Sequence, residues 1–374
     1  MKIGILTFHH TTNYGATLQT YALWTTIKSL GHDVEIIDYR PYVAVQYYQR
    51  DIQKLLNRKR QFIKIKVLVA LVKLIIKRLK IKIFLNTKIK LSKDKFYTRD
   101  SLNAFDFDYD IVISGSDQVW CLDSYRGFDP SFFLDFIESK KIRKISYAAS
   151  FSFTENLGQN KELIGKLISD FESISVRDNH SLRIIERECN SSAIRVLDPT
   201  FLINFNEIKV EPKLREDYLL IYCEGEMEDY QEDFIKSIAE KKELLIISVG
   251  RFQRVAHNSF IDIGLEEWIG YFSKASFVVT DTYHGTIFSI KFKKLFTVFA
   301  NQRKSNKTNC LLEKLELKNR MISKEEYNNF FVQFLSIDYT SVDEKLRQEI
   351  SKSKNYLSEA IQGKSTRNYF SAAK

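Results

Sequence analysis

Short apolar runs rich in β-branched residues alternate along this chain with stretches whose apolar residues recur at helical spacing, and that alternation points to parallel β-α-β units. The strand-like runs of the first half are KIGILTF (2–8), DVEIIDY (33–39), DIVIS (110–114), KISYAA (144–149), SISV (173–176) and IRVL (194–197). A second series follows with YLLIYC (218–223), ELLIISV (243–249), FVVT (277–280) and LFTVF (295–299). Helical patterns at about 15–30, 160–171 and 179–188 separate the first set, and patterns at about 230–241, 265–275, 285–293 and 308–316 the second. The reading is α/β, with two doubly wound domains over 1–205 and 206–325. A helical segment over 326–374 follows, its pattern at about 341–361 packing back on the first domain. A chain of 374 residues suits this division, since domains usually hold about 100 to 200.

Charge is unevenly spread. Residues 54–95 hold fifteen Lys or Arg against one acid, Asp94, so this segment carries +14 while the rest of the chain is −4. A basic arm at about 52–95 on a mildly acidic body favours a local anionic contact over a nucleic-acid reading face. The spacing of Lys59, Lys66, Lys73, Lys77 and Lys80 predicts one cationic face of a helical insertion, with Leu68, Leu71, Ile75 and Leu79 on another. That pattern predicts contact of the lysine face with the cytoplasmic membrane surface or a lipid-linked acceptor, or packing on the first domain with the lysine face in water. No apolar run in the arm reaches the roughly 18 residues of a spanning helix. The opening MKIGILTF enters a strand pattern directly, without a signal-peptide core, and a cytoplasmic chain is expected. Cys121, Cys189, Cys223 and Cys310 have neither paired spacing nor His neighbours, so no metal site is expected.

In sheets of this kind ligands bind beyond the carboxyl ends of strands, where loops meet helix N-termini. The candidate residues therefore lie there. FHHTTNYG after the first strand offers His9, His10, Asn13, Tyr14 and Gly15, and it lacks the glycine pattern of a dinucleotide site. SGSDQVW offers Gly115, Ser116, Asp117 and Gln118, with Trp120 as a platform for a sugar ring. SVRD places Arg177 and Asp178 at a strand end, where a guanidinium could fork onto carboxylate or phosphate. TDTYHG sets Asp281, Thr282, Tyr283 and His284 before a helix, and His is the side chain suited to proton transfer near neutral pH. Arg303, Lys304, Lys307 and Arg320 follow as candidate anion contacts. Each of these has a bland alternative: cap, core side chain or solvated loop.

Taken together, KIGILTFHHTTNYGATLQTYAL, DVEIIDYRP, YDIVISGSDQVW, SYAASF, SVRD, VLDPTFLI, TDTYHGTIFSI and LELKNR resemble the polysaccharide pyruvyltransferase family over about residues 1–325. The resemblance implies two Rossmann-like domains in a glycosyltransferase-B-like arrangement. It also implies transfer of a pyruvyl unit from phosphoenolpyruvate, as co-substrate, to two hydroxyls of one sugar as a cyclic ketal. The acceptor would be a surface glycan or its lipid-linked precursor, with no cofactor or metal required. The family's active-site His matches His284 and its strand-end Arg matches Arg177. Two residues before the His, where many members carry Arg, this chain has Thr282, so Arg303, Lys304 or Lys307 would supply the missing contact. Asp117 or Asp178 is the expected partner of the acceptor hydroxyls. The rival readings are a nucleotide-sugar glycosyltransferase and a catalytically inactive glycan-binding member.

Overall fold

The computed structural model describes residues 1–47, 65–300, 305–325 and 332–364. Two compact units contain them. The first comprises Met1–Lys54, Leu85–Ile203 and Arg347–Lys374, and the second Leu55–Phe84 and Asn204–Leu346.

The first unit is built on a parallel sheet. Its strands are β1 (Lys2–Leu6), β2 (Asp33–Tyr39), β3 (Leu91–Phe96), β4 (Ile111–Ser114) and β5 (Arg143–Ser146), in the order β3-β2-β1-β4-β5. Single bridges from Ile145 to Ser173 and from Ala149 to Val176 extend it to the pair β6 (Ser175–Val176) and β7 (Ile194–Arg195). β1 and β4 at the centre are apolar on both faces, as a sheet covered on both sides requires. Helix α1 (Tyr14–Ser29) starts where the Asn13 side chain accepts a hydrogen bond from the Ala16 N–H at 3.2 Å, and it ends before Gly31, whose φ of +86° suits glycine. α1 is buried along most of its length and packs on the turn Pro199–Phe201. The core continues through Trp120, Phe132, Phe133, Phe151 and Phe171.

The second unit has a six-stranded parallel sheet. Its strands are β8 (Tyr218–Tyr222), β9 (Leu245–Val249), β10 (Asn258–Phe260), β11 (Phe277–Thr280), β12 (Leu295–Phe299) and β13 (Met321–Ile322), in the order β10-β9-β8-β11-β12-β13. Every pairing is parallel. The order reverses between β8 and β11, the doubly wound pattern whose strand ends gather loops into a ligand crevice.

Two long helices are shared between the units. Helix α2 (Ile65–Lys88) belongs to the second unit up to Phe84, and helix α3 (Tyr339–Ile361) changes unit at Arg347. The packing expected for the basic arm is revised here. In the second unit Lys80 pairs with Glu267 at 2.8 Å, Lys73 lies 3.9 Å from Asp262, and Lys77 donates to the Gly250 carbonyl at 3.3 Å. The lysine face expected to meet membrane or water therefore contacts protein, and it does so in the second unit rather than the first. Lys59 lies outside the described residues.

From Arg347 onward α3 is anchored in the first unit. Tyr356 donates to the Ser146 carbonyl at 2.9 Å, Ser353 Oγ accepts from the Leu197 N–H at 2.9 Å, and Arg143 donates to the Ala360 and Ile361 carbonyls. No helix among the described residues is long and apolar enough to cross a membrane.

Candidate active site

In the first unit the carboxyl ends of β4, β5 and β6 converge. Asp117 bridges to Ala149 and Ala149 to Val176, a register that sets Asp117 beside Arg177. The Arg177 side chain has no solvent exposure. Its Nη1 donates to Asp198 Oδ2 at 2.9 Å and its Nη2 to Asp117 Oδ1 at 3.3 Å. Asp198 is itself buried, and its other oxygen accepts from the Thr200 N–H at 3.0 Å and the Thr200 hydroxyl at 2.7 Å. The chain Thr200, Asp198, Arg177, Asp117 reaches solvent only at its last member, whose side chain is 13% exposed.

Asp117 also has φ of +89°, a region that a non-glycine residue occupies only when its surroundings hold it there. Ala148 and Ser152 share this trait at the same edge, with φ of +55° and +56°. Conformations of this kind concentrate at functional sites, and no sequence pattern announces them.

This geometry changes several assignments. Arg177, expected to clamp a donor anion, is paired with two carboxylates, Asp117 and Asp198, and its side chain has no solvent exposure. Asp178, expected at the acceptor, caps helix α4 (Asn179–Glu188): one oxygen accepts from Ser181 N–H at 2.8 Å and the other from the Ser150 hydroxyl at 2.6 Å. Trp120 is 1% exposed, stacks on Phe133 and donates Nε1–H to the Phe132 carbonyl, so it is core and not a sugar platform. Gly115 permits a close approach, but by β1: an added Cβ would meet Thr7 Cβ at 2.9 Å. Ser116 is fully buried, with its carbonyl accepting from the Thr7 hydroxyl. Gln118 stays partly exposed, and its side-chain oxygen accepts from Ser152 at 3.2 Å. In the first loop Asn13 is the α1 cap, while Tyr14 and Gly15 are buried in its first turn. His9 is fully buried, with Nε2 donating to Asp38 Oδ1 at 2.9 Å, and Arg40 donates to both oxygens of the same carboxylate.

In the second unit β11 runs through Asp281 and Thr282 into helix α5 (Tyr283–Lys291), and His284 lies in its first turn. Thr282 is the cap: its hydroxyl accepts from the Gly285 N–H at 2.9 Å and lies 2.9 Å from the Thr280 hydroxyl, which donates to the Tyr222 carbonyl at 2.6 Å. A Cβ on Gly285 would stand 2.1 Å from Thr280 Oγ1. Glycine there admits this hydroxyl pair rather than a ligand. Asp281 accepts from the Glu224 N–H at 2.9 Å, tying the ends of β8 and β11 together. His284 is 9% exposed, Tyr283 packs edge-on against it, and the Lys307 ammonium sits 5.6 Å from the Tyr283 ring centre.

Arg320, expected as an anion contact, is buried instead. It is 2% exposed, and its guanidinium donates to the carbonyls of Val332, Gln333, Leu335 and Ser336. Arg303 and Lys304 lie outside the described residues. A hollow of about 810 Å³ that the sequence did not announce opens beyond β8 and β9. Phe252 stands exposed in it, Arg254 bridges Asp229 and Glu232, and Lys324 pairs with Glu228. Among the described residues no cluster of three or more His, Cys, Asp or Glu is placed to hold a metal ion.

Solved structures share this fold over nearly their whole length. A Listeria monocytogenes protein provisionally assigned as a UDP-N-acetylglucosamine 2-epimerase is 11% identical, with 96% of this chain and 95% of that one aligned at a TM-score of 0.53. Another UDP-N-acetylglucosamine 2-epimerase is 11% identical, with 96% and 94% covered at a TM-score of 0.51. At such identities the likeness defines the parallel α/β fold alone. No curated protein matches the sequence. The family model for polysaccharide pyruvyl transferases matches residues 13–303, a span that takes in both strand-end clusters, and the chain belongs to that family.

Proposed function

We propose that this transferase moves the pyruvyl unit of phosphoenolpyruvate onto two hydroxyls of one sugar in a surface glycan or its lipid-linked precursor, working in the cytoplasm. The observation that carries the reading is the family match over 13–303, which includes the TDTYHG turn. His284 is the proposed acid, in the first turn of a helix whose N-terminal partial positive charge favours an anionic ligand.

Protonation of the donor's methylene carbon makes the neighbouring carbon oxocarbenium-like. One sugar hydroxyl adds to it and gives up its proton. Phosphate then leaves, and the second hydroxyl closes the ketal. Of the two hydroxyl protons released, one balances the new methyl group and the other departs with phosphate. Asp117 is the proposed base for a hydroxyl, with Arg177 fixing its carboxylate. Thr282 serves as a cap, so the family's Arg contact at that position falls to Lys307 or to Arg303 and Lys304. The residues proposed to act require neither a metal nor an organic cofactor.

The test measures phosphate release from phosphoenolpyruvate with glycan acceptors, together with mass spectrometry of the glycan for a pyruvate ketal. A parallel arm supplies nucleotide sugars. His284→Asn should lower ketal formation by at least about 10²-fold, the usual cost of removing a general acid, with its melting temperature unchanged. Turnover by a folded His284→Asn variant near the wild-type rate would place the acid elsewhere. Transfer from a nucleotide sugar instead would replace the reaction.

A further inference from the structure

We infer that the outer face of α2 is a docking surface for an anionic phospholipid membrane, and that it engages through its apolar stripe rather than through its lysine face. Leu68, Val72, Ile75, Leu79 and Ile83 fall within about 80° of one another around the helix axis. All five are between 42% and 60% exposed, and Val69 beside them is 47% exposed. The opposite side is the one already held by protein: Lys73, Lys77 and Lys80 make their contacts there, and Ile81 and Phe84 are buried. The helix thus departs from an ordinary surface helix: Lys73, Lys77 and Lys80 are engaged with protein while a row of aliphatic side chains faces solvent. Single exposed aliphatics need no explanation, but a contiguous row of this kind marks an interaction site.

Charge selects the occupant. The chain has no acidic residue from 52 to 93, and the stripe is bordered by exposed Lys82. A second copy of the same helix would bring two strongly positive segments together. An anionic lipid surface takes up the aliphatic side chains and attracts the surrounding cations at once. Such a surface would deliver the enzyme to a lipid-linked acceptor, and to that extent the inference rests on the proposed function. Lipid binding is read without donor or acceptor, so the two can fail separately.

The full-length chain is sedimented with vesicles of phosphatidylglycerol and phosphatidylcholine, and with phosphatidylcholine alone. Wild type should partition onto the anionic vesicles and much less onto the neutral ones. Val72→Ser/Ile75→Ser/Leu79→Ser, whose positions are solvent-facing, should keep the wild-type melting temperature and bind at least about tenfold more weakly. Lys80→Gln, which breaks an inward pair and leaves the stripe intact, should bind within about twofold of wild type. Equal binding by the triple variant, or an equal loss in Lys80→Gln, would overturn the inference. So would a wild-type dimer that the triple variant dissolves with no vesicle binding by either, which would assign the stripe to a second copy.

Discussion

Asp38 has no solvent exposure, and burial alone would raise its pKa, yet His9 and then Arg40 hold its carboxyl down to about 2 against an ordinary value of 3.8. Because the folded value is the lower one, the stabilisation is complete above about pH 4 and is lost as pH falls through about 2, and its size is on the order of 2 kcal/mol. The gap in melting temperature between wild type and Asp38→Asn should therefore be constant from pH 7 to about 4.5 and shrink below that. A gap that persists undiminished at pH 2.5 would show that Asp38 contributes through shape and not through charge. His9 illustrates how far the site could be read in advance. Its place beyond β1 was legible, but its partner arrives from β2, twenty-nine positions away. The same limit applies to Asn13, Asp178 and Thr282. A side-chain oxygen that can receive a substrate can equally receive the first N–H groups of a helix, and sequence spacing does not distinguish the two uses. Asp198, which anchors Arg177, was visible only as the acid of VLDPTFLI.

The apolar pattern finds every strand in the interiors of the two main sheets. β1, β4, β8 and β11 are covered on both faces and read as continuous apolar runs. The three missed, β3, β10 and β13, all lie at sheet edges. β3 reads LSKDKF, and the other two are three and two residues long. Charge and brevity are what an edge requires, so the features that protect an edge also conceal it from pattern reading. Helix ends fell within a few residues of expectation wherever a cap was present, as at Asn13 and Asp178. What no helical pattern revealed is the contact under helix α6 (Leu265–Lys274), where a Cβ on Gly270 would stand 1.8 Å from the Val210 carbonyl oxygen. Gly→Ala within a helix ordinarily stabilises by roughly 1 kcal/mol. Here the obstacle is backbone, which cannot rotate aside, so Gly270→Ala should destabilise by about 1 to 3 kcal/mol. Urea unfolding monitored in the second unit measures it, and a stabilised variant would refute the contact.

The chain passes between its two units four times, at 54/55, 84/85, 203/204 and 346/347, so neither unit is a single continuous segment. A division at 205, natural from the sequence, would leave the first unit without the helix that supplies Ser353, Tyr356 and the carbonyls bound by Arg143. The fragment 1–346 is therefore expected to show faster amide exchange in β5, β6 and β7 than the full chain, with protection restored by adding a peptide spanning 339–364. Equal protection without the peptide would show that the helix is dispensable. The shared helix also sets the order of events during synthesis. With translation proceeding at about 5 to 20 residues per second, the 143 residues 204–346 take roughly 7 to 30 seconds to make while the first sheet waits for its closing helix. Strands made early must stay uncommitted until chain made late returns to them, and a polypeptide released prematurely in that interval leaves this sheet open to chaperones and proteases. The return of α3 thus acts as a seal that synthesis applies only once residues 347–364 have been made.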